Sequence, residues 1–298
     1  MEKSKKEKRR YGRDLSVYIV LRAFVIVTLV IQILKGNFEN AFLCILTLGL
    51  FMIPIIIDHK LNIKLPNVLE SIIFLFIFSA EILGEIQNFY GIFKNWDTIL
   101  HTINGFLCAA IGFSLIDILN NAQAFHAKMS PVFVALVAFC FSMTIGVLWE
   151  FAEYSVDTIL VKDMQKDRII SRVSSVLLNE EEKNIPVVIN NIEKTVIYNK
   201  NSDGTISERV IEGGYLDIGL KDTMKDLMVN FVGAVVYSAI GFLYIKNRDD
   251  YKFAELFLPV KKTEKEIEET RKELERLEML LEEKKKRQKE KRIKKNKR

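Results

Sequence analysis

Three cysteines, at 44, 108 and 140, are too few to build a disulfide framework, and all sit inside apolar runs. Buried apolar thiols are the plain reading of all three. The chain also lacks HExxH, any paired-cysteine pattern and any arginine-rich phosphate motif, so no strong metal or phosphate signature is present. Its basic runs lack interleaved aromatics, so nucleic acid is not an expected partner. No small-residue cleavage site follows the first apolar run, where "KGNFEN" stands instead. That run therefore reads as a retained helix and not as a removed signal peptide.

What the chain has in quantity is hydrophobicity and charge together. Hydrophobic residues make up 49%, charged residues 27%, and the mean hydropathy is +0.13. Those figures coexist because the two kinds are sorted into blocks. Six apolar blocks, 16–34, 41–57, 69–86, 97–119, 131–154 and 222–245, each approach the roughly 20 helical residues that cross a bilayer core. Helices are expected because backbone polar groups in lipid must be satisfied within their own segment. The chain is expected to be an all-α polytopic membrane protein of six transmembrane helices, with membrane lipids as its first partners. Both ends are rich in lysine and arginine, and an even number of spans puts them on one side. The positive-inside bias makes that side cytoplasmic, which places the chain in the cell (plasma or inner) membrane. The net charge of +5 then comes from tails lying beside anionic lipid.

The organisation follows. A basic N-terminus (1–14) precedes spans one to five (15–156), an extracytoplasmic insert (157–221), the sixth span (222–246) and a cytoplasmic tail (247–298). The insert reads as small and α+β. Ile169, Val173 and Val176 stand at helical spacing, and two β-rich runs flank Asp203-Gly204 as a hairpin. An isolated hairpin is marginal, so a lid resting on the membrane helices is expected. In the tail, Val260, Ile267, Leu274 and Leu281 repeat every seven residues, with Thr263, Thr270 and Leu277 between them. This is an a/d seam of about three heptads, weakened by two threonines, through which the chain could form a homo-oligomer or stand as a single charged helix.

The polar residues of the spans gather at one end. With alternating directions, Glu81 and Glu85 of the third span share a leaflet with Asp97, His101 and Asn104 of the fourth. Glu150, Glu153 and Asp157 of the fifth and Asp222, Asp226 and Asn230 of the sixth lie at the same level. Their spacings of three, four, seven or eight residues place each set on one helix face. Each residue alone has an ordinary explanation: acids at headgroups, a hydrogen-bonded core histidine, amides that glue helices. Eight carboxylates with one histidine, and only Arg22 and Lys225 as cations in the spans, do not. Such groups must share protons or hold a cation. The expected candidates are Asp97, His101, Glu150, Glu153, Asp222 and Asp226 as ligands of one divalent ion (Mg, Mn or Zn), with His101, Glu150 and Asp226 as chemically active groups. Glu81, Glu85, Asn104, Asp157 and Asn230 complete the polar cavity. Gly105, Ala109, Gly112, Ala234, Ser238 and Gly241 are small enough for close helix approach.

"WDTILHTINGF", "LWEFAEYSVD" and "DTMKDLMVNFVGAV" resemble the three polar motifs of the YjdF-like inner-membrane protein family, a group to which no reaction is assigned. The likeness covers roughly residues 70–245 and marks Asp97, His101, Gly105, Glu150, Glu153, Asp222, Asp226 and Asn230 as the family's polar set. A fainter likeness is to VanZ-like membrane proteins. The insert after Asp157 and the tail look like additions to the family pattern. Three function classes stay open: an enzyme acting on lipid-linked substrates, a proton- or cation-binding transporter, and a scaffold working through its tail. A transporter is disfavoured by the lack of an inverted repeat and of polar groups along the whole membrane path.

Overall fold

The computed structural model describes residues 15–60, 62–120, 129–181, 183–272 and, beyond these, 275, 276, 279, 280 and 283. The basic N-terminus and the seam positions Leu274, Leu277 and Leu281 lie outside the described residues. The described residues fold as two compact units: those within 1–96, 110–138 and 238–298 form the first, and those within 97–109 and 139–237 the second.

The first unit opens with α1 (Leu15–Leu34), α2 (Phe38–Leu50) and α3 (Ile53–Lys60). The second apolar block is interrupted at Phe51 and Met52 because Pro54 has no N–H to give to Leu50. Next come β1 (Ile63–Lys64), α4 (Asn67–Phe78) and a π-helical stretch, Ser79–Ile86, in which the Gln87 N–H reaches the Ile82 carbonyl at 3.0 Å. The third apolar block is thus continuous but changes helix type after twelve residues. Trp96 Nε1 donates to the Ser79 carbonyl at 3.3 Å, where the α pattern stops. A core of Leu21, Val25, Cys44, Phe51, Phe74, Ile77 and Ile82 forms between these helices. The Tyr18 and Phe51 rings stand 5.1 and 5.4 Å from Phe74. The outer face of α1 carries exposed Ile19, Phe24, Val27 and Val30, as expected where lipid is the solvent.

Of the helices that follow, α5 (Phe89–Ile92) is a single turn, whereas α6 (Trp96–Asn120), α7 (Pro131–Leu160) and α8 (Leu220–Lys246) run 25, 30 and 27 residues. Among the described residues, five helices are long and apolar enough to cross a membrane: Ser16–Leu34, Phe38–Lys60, Trp96–Leu119, Pro131–Leu160 and Leu220–Lys246. Of the three thiols, Cys44 and Cys108 are buried as expected, whereas Cys140 on α7 is exposed, which corrects the expectation for the third.

In the second unit the insert keeps the hairpin expected around Asp203-Gly204, and the rest of it is built from strands and not from a helix. β2 (Arg168–Ile170) pairs with β7 (Tyr215–Asp217), β3 (Val173–Ser175) with β4 (Val187–Ile189), and β5 (Lys194–Lys200) with β6 (Ile206–Glu212), all antiparallel. The helix expected at Ile169, Val173 and Val176 is absent. Those β-branched residues lie in β2, in β3 and in the short 3₁₀ turn Val176–Leu178. The hairpin closes through Asn201–Thr205, with Gly204 left-handed at φ 84° and Asp203 Oδ1 accepting the Thr205 N–H. Thr195 Oγ1 donates to the Gly214 carbonyl at 2.8 Å, tying β5 to the chain entering β7.

The insert is also shorter than 157–221, because α7 runs to Leu160 and α8 starts at Leu220. Val161 ends α7 in the left-handed region (φ 53°), a costly place for a β-branched residue. The following turn is held by the Asp157 carboxylate, which accepts the Met164 and Gln165 N–H groups at 2.6 and 2.8 Å. Asp157 is a structural cap here.

Back in the first unit, the chain after α8 forms a 3₁₀ turn (Lys252–Phe257) and then β8 (Val260–Lys261), which pairs antiparallel with β1. Val260 is therefore a strand residue and not the first position of a heptad seam. Helix begins after Thr263, whose amide and hydroxyl both donate to Glu266 Oε2 at 2.9 Å, half of a capping box. Thr263 is thus a helix start and not a core position. Lys64 pairs with Glu266, and Lys262 Nζ with Asp58 Oδ2 at 2.9 Å and Thr270 Oγ1 at 3.1 Å.

Candidate functional site

In the second unit, α6, α7 and α8 meet through missing side chains. A Cβ on Gly105 would collide with the Asn230 backbone, and one on Gly233 with the Thr102 backbone. A Cβ on Gly146 would stand 2.7 Å from Asn230 Nδ2. Ser142 Oγ donates to the Gly105 carbonyl at 2.7 Å, and Asn104 Nδ2 to Asn230 Oδ1 at 3.3 Å. The Phe106 and Tyr237 rings meet edge-on at 4.9 Å. Close backbone approach brings short polar side chains within reach of one another.

One turn away from this crossing, His101 sits between two carboxylates. Its Nε2 is 3.3 Å from Asp97 Oδ1, the i,i+4 partner on the same helix, and its Nδ1 is 3.8 Å from Glu150 Oε1 on α7. Asp226 on α8 is 1% exposed. One ligand atom from each of Asp97, His101 and Asp226 lies within 4.8 Å of the other two, close enough for one ion to gather all three. Glu150 stands behind the imidazole. It is 4% exposed, and its Oε2 has no hydrogen-bond partner among the described residues.

Cations reach the cluster in two places. Lys225 Nζ is 3.5 Å from both Asp97 Oδ2 and Asp226 Oδ1. Arg168, on β2, donates to Asp222 Oδ1 at 2.7 Å, and the Lys166 N–H to Asp222 Oδ2 at 2.9 Å. Both oxygens of Asp222 are therefore engaged by the insert. Gln165 Nε2 donates to Thr223 Oγ1, a further tie between the same two segments. Glu153, 8% exposed, accepts the Trp149 Nε1–H at 2.7 Å.

Of the expected residues, Asp97, His101 and Asp226 form the tight group, with Glu150 touching it through His101. Glu153 and Asp222 have their own donors. Asn104 and Asn230 bind each other at the crossing. Glu81 and Glu85 belong to the first unit's π-helical stretch, the former half-buried and the latter exposed. Sequence reasoning missed Arg168, Gly146, Gly233 and Ser142. Gly146 and Gly233 were visible as small residues in spans. Arg168 carried no local signal, since its partner stands 54 residues away.

No solved structure matches the chain. A Thermotoga maritima protein described as uncharacterized is 28% identical over 142 residues, which is 47% of this chain and 71% of that one. The family model described as "Predicted membrane protein (DUF2238)" matches residues 16–247, which contain every polar residue of the site described above. The chain belongs to this family, the YjdF-like membrane proteins.

Proposed function

We propose that this membrane protein holds one divalent cation on Asp97, His101 and Asp226, and that the cation serves chemistry on a lipid-linked or headgroup substrate. The observation that carries this is the approach of three ligand atoms, two carboxylate and one imidazole, from two helices to within 4.8 Å. Hard oxygen ligands with one imidazole suit Mg, Mn or Zn. When bound, such an ion polarises a phosphoryl or carbonyl oxygen. The chain's own part is to orient it. With Nε2 toward Asp97, the Nδ1–H can be aimed at Glu150, the carboxylate–histidine arrangement that fixes ring orientation at metal sites. The second reading is a proton-holding cluster, favoured by the continuous Asp97–His101–Glu150 chain.

Metal analysis of the purified protein separates the two. On the cation reading, wild type retains a divalent metal, and His101→Gln or Asp226→Asn cuts retention by about tenfold or more while the protein still folds. Glu150→Gln reduces it less, because Glu150 acts through His101; loss of a supporting partner typically costs about 10–100-fold at well-studied sites, which bounds the effect from above. Metal-free wild type, with acid-to-amide variants that melt higher, would assign the cluster to protons.

We further propose six spans with both termini cytoplasmic in the cell membrane. The stretch 67–86 has the roughly 20 residues a crossing needs. In a cysteine-free variant on intact cells, a cysteine replacing Ser202 in the β5–β6 turn should react with an impermeant reagent, and one replacing Lys265 should not. Equal labelling at both sites would contradict the single crossing, by α8, between an outside insert and a cytoplasmic tail.

A further inference from the structure

The cation site described above already contains a cation, and it is covalently part of the chain. Lys225 Nζ lies 3.5 Å from Asp97 Oδ2 and 3.5 Å from Asp226 Oδ1, the same two carboxylates that supply oxygens to the proposed ion. We propose that Lys225 is a tethered competitor for the divalent ion: its ammonium holds the place between Asp97 and Asp226, and the ion enters as the lysine withdraws. This rests on the cation-site reading and adds its regulation.

Three features support competition over a permanent ion pair. Both contacts are long for a charge-assisted hydrogen bond, which runs at about 2.7–2.9 Å, so the ammonium is placed between the acids without being locked to either. The side chain is 29% exposed, and its flexible four-carbon stem gives it a way out toward solvent. Asp226, by contrast, is 1% exposed and Asp97 is fixed to His101 at 3.3 Å, so the anions stay while the cation can leave. Beside the acids that Lys225 touches, Glu150 is 4% exposed and its Oε1 stands 3.8 Å from His101 Nδ1, a third carboxylate at the cluster that the ammonium does not reach. An ammonium satisfies two carboxylates with one positive charge; a divalent ion brings two and leaves Lys225 free for an anionic group. A site of this kind fills only once the free ion outcompetes its own lysine, which sets a threshold for occupancy.

Mn²⁺ binding to the purified full-length protein in detergent, followed by the loss of the free-ion paramagnetic signal, tests it. Lys225→Met and Lys225→Gln should each bind Mn²⁺ at least about tenfold more tightly than wild type, since one unit charge at this separation is worth more than one tenfold step near a protein surface. Lys225→Arg should bind no more tightly than wild type. Adding Asp226→Asn to Lys225→Gln should undo the gain, which locates the ion. Two neutral variants are used so that a folding defect in one leaves the other to read. If both neutral variants bind Mn²⁺ as wild type does, Lys225 is no competitor and the inference fails while the cation site stands. If neither wild type nor the neutral variants bind Mn²⁺, the cation-site reading itself fails and this one with it.

Discussion

The Gly233→Val variant is expected to lose most of its folded population. The Cβ of any residue at 233 would press on the Thr102 backbone carbonyl, with the Phe106 amide beside it. A clash with a side chain can be relieved by a rotamer change; one with backbone requires two helices to move apart. Overpacking of ordinary cores costs about 1–3 kcal/mol, and a backbone–backbone crossing belongs above that range, against a total stability of about 5–15 kcal/mol. Gly105→Val should behave alike, since its Cβ meets the Asn230 backbone. Gly49→Ala is the control: nothing lies within 4 Å of a Cβ there, and alanine favours helix over glycine by about 1 kcal/mol. Thermal unfolding in detergent reads all three. A Gly233→Val protein that melts with wild type would mean that α6 and α8 are not this close.

The second large effect is expected at the tail latch. The Lys262 side chain is 4% exposed and its ammonium pairs with Asp58, whose side chain is 25% exposed. Removing one partner of a buried pair costs about 3–5 kcal/mol because the other charge is left uncompensated. The partial exposure of Asp58 sets Asp58→Asn at or just below the lower end of that range, about 2–3 kcal/mol. Lys262→Met should cost less, because the carboxylate left behind can reach water. The double variant should be more stable than the sum of the two losses predicts, which is the signature of a coupled pair. Strictly additive losses in unfolding experiments would show that Asp58 and Lys262 do not depend on each other.

The boundaries of α6 and α8 and the start of α7 were legible within two residues, because long apolar runs in lipid leave the backbone few alternatives, whereas α7 continues six residues past its apolar block. The spacing of Asp97 and His101 survived unchanged into a 3.3 Å contact, since i,i+4 neighbours on a helix meet wherever the helix goes. What the spacing did not contain was charge balance. Asp97, Asp222 and Asp226 looked alike in sequence, yet Asp222 is claimed by Arg168 from the insert while the other two flank Lys225. Only folding decides which acid meets which cation. The start of the tail helix was missed for a different reason. Val260, Ile267, Leu274 and Leu281 keep a perfect period of seven, but periodicity says nothing about where the helix begins. Thr263 and Glu266, three apart, held that signal as a cap. The two-residue pairing of β1 with β8 has no local signature at all, and the short β-branched run at 169–176 fitted helix and strand equally well.

The pairing of β1 with β8 also fixes an order of events in synthesis. Asp58 and Lys262 are 204 residues apart, and Ile63 meets Lys261. When the ribosome has finished the first two apolar blocks, half of this contact already exists and has nothing to close on. It stays open while every later helix and the whole insert are made, and shuts only after the last apolar block has left the tunnel. A chain that stops short of residue 260 would carry all its greasy segments and still show a bare carboxylate and an unpaired strand edge where the tail belongs. The packing of β1 and Asp58 therefore waits on residues 260–262, made after the last long apolar helix, and not on anything nearer in the chain.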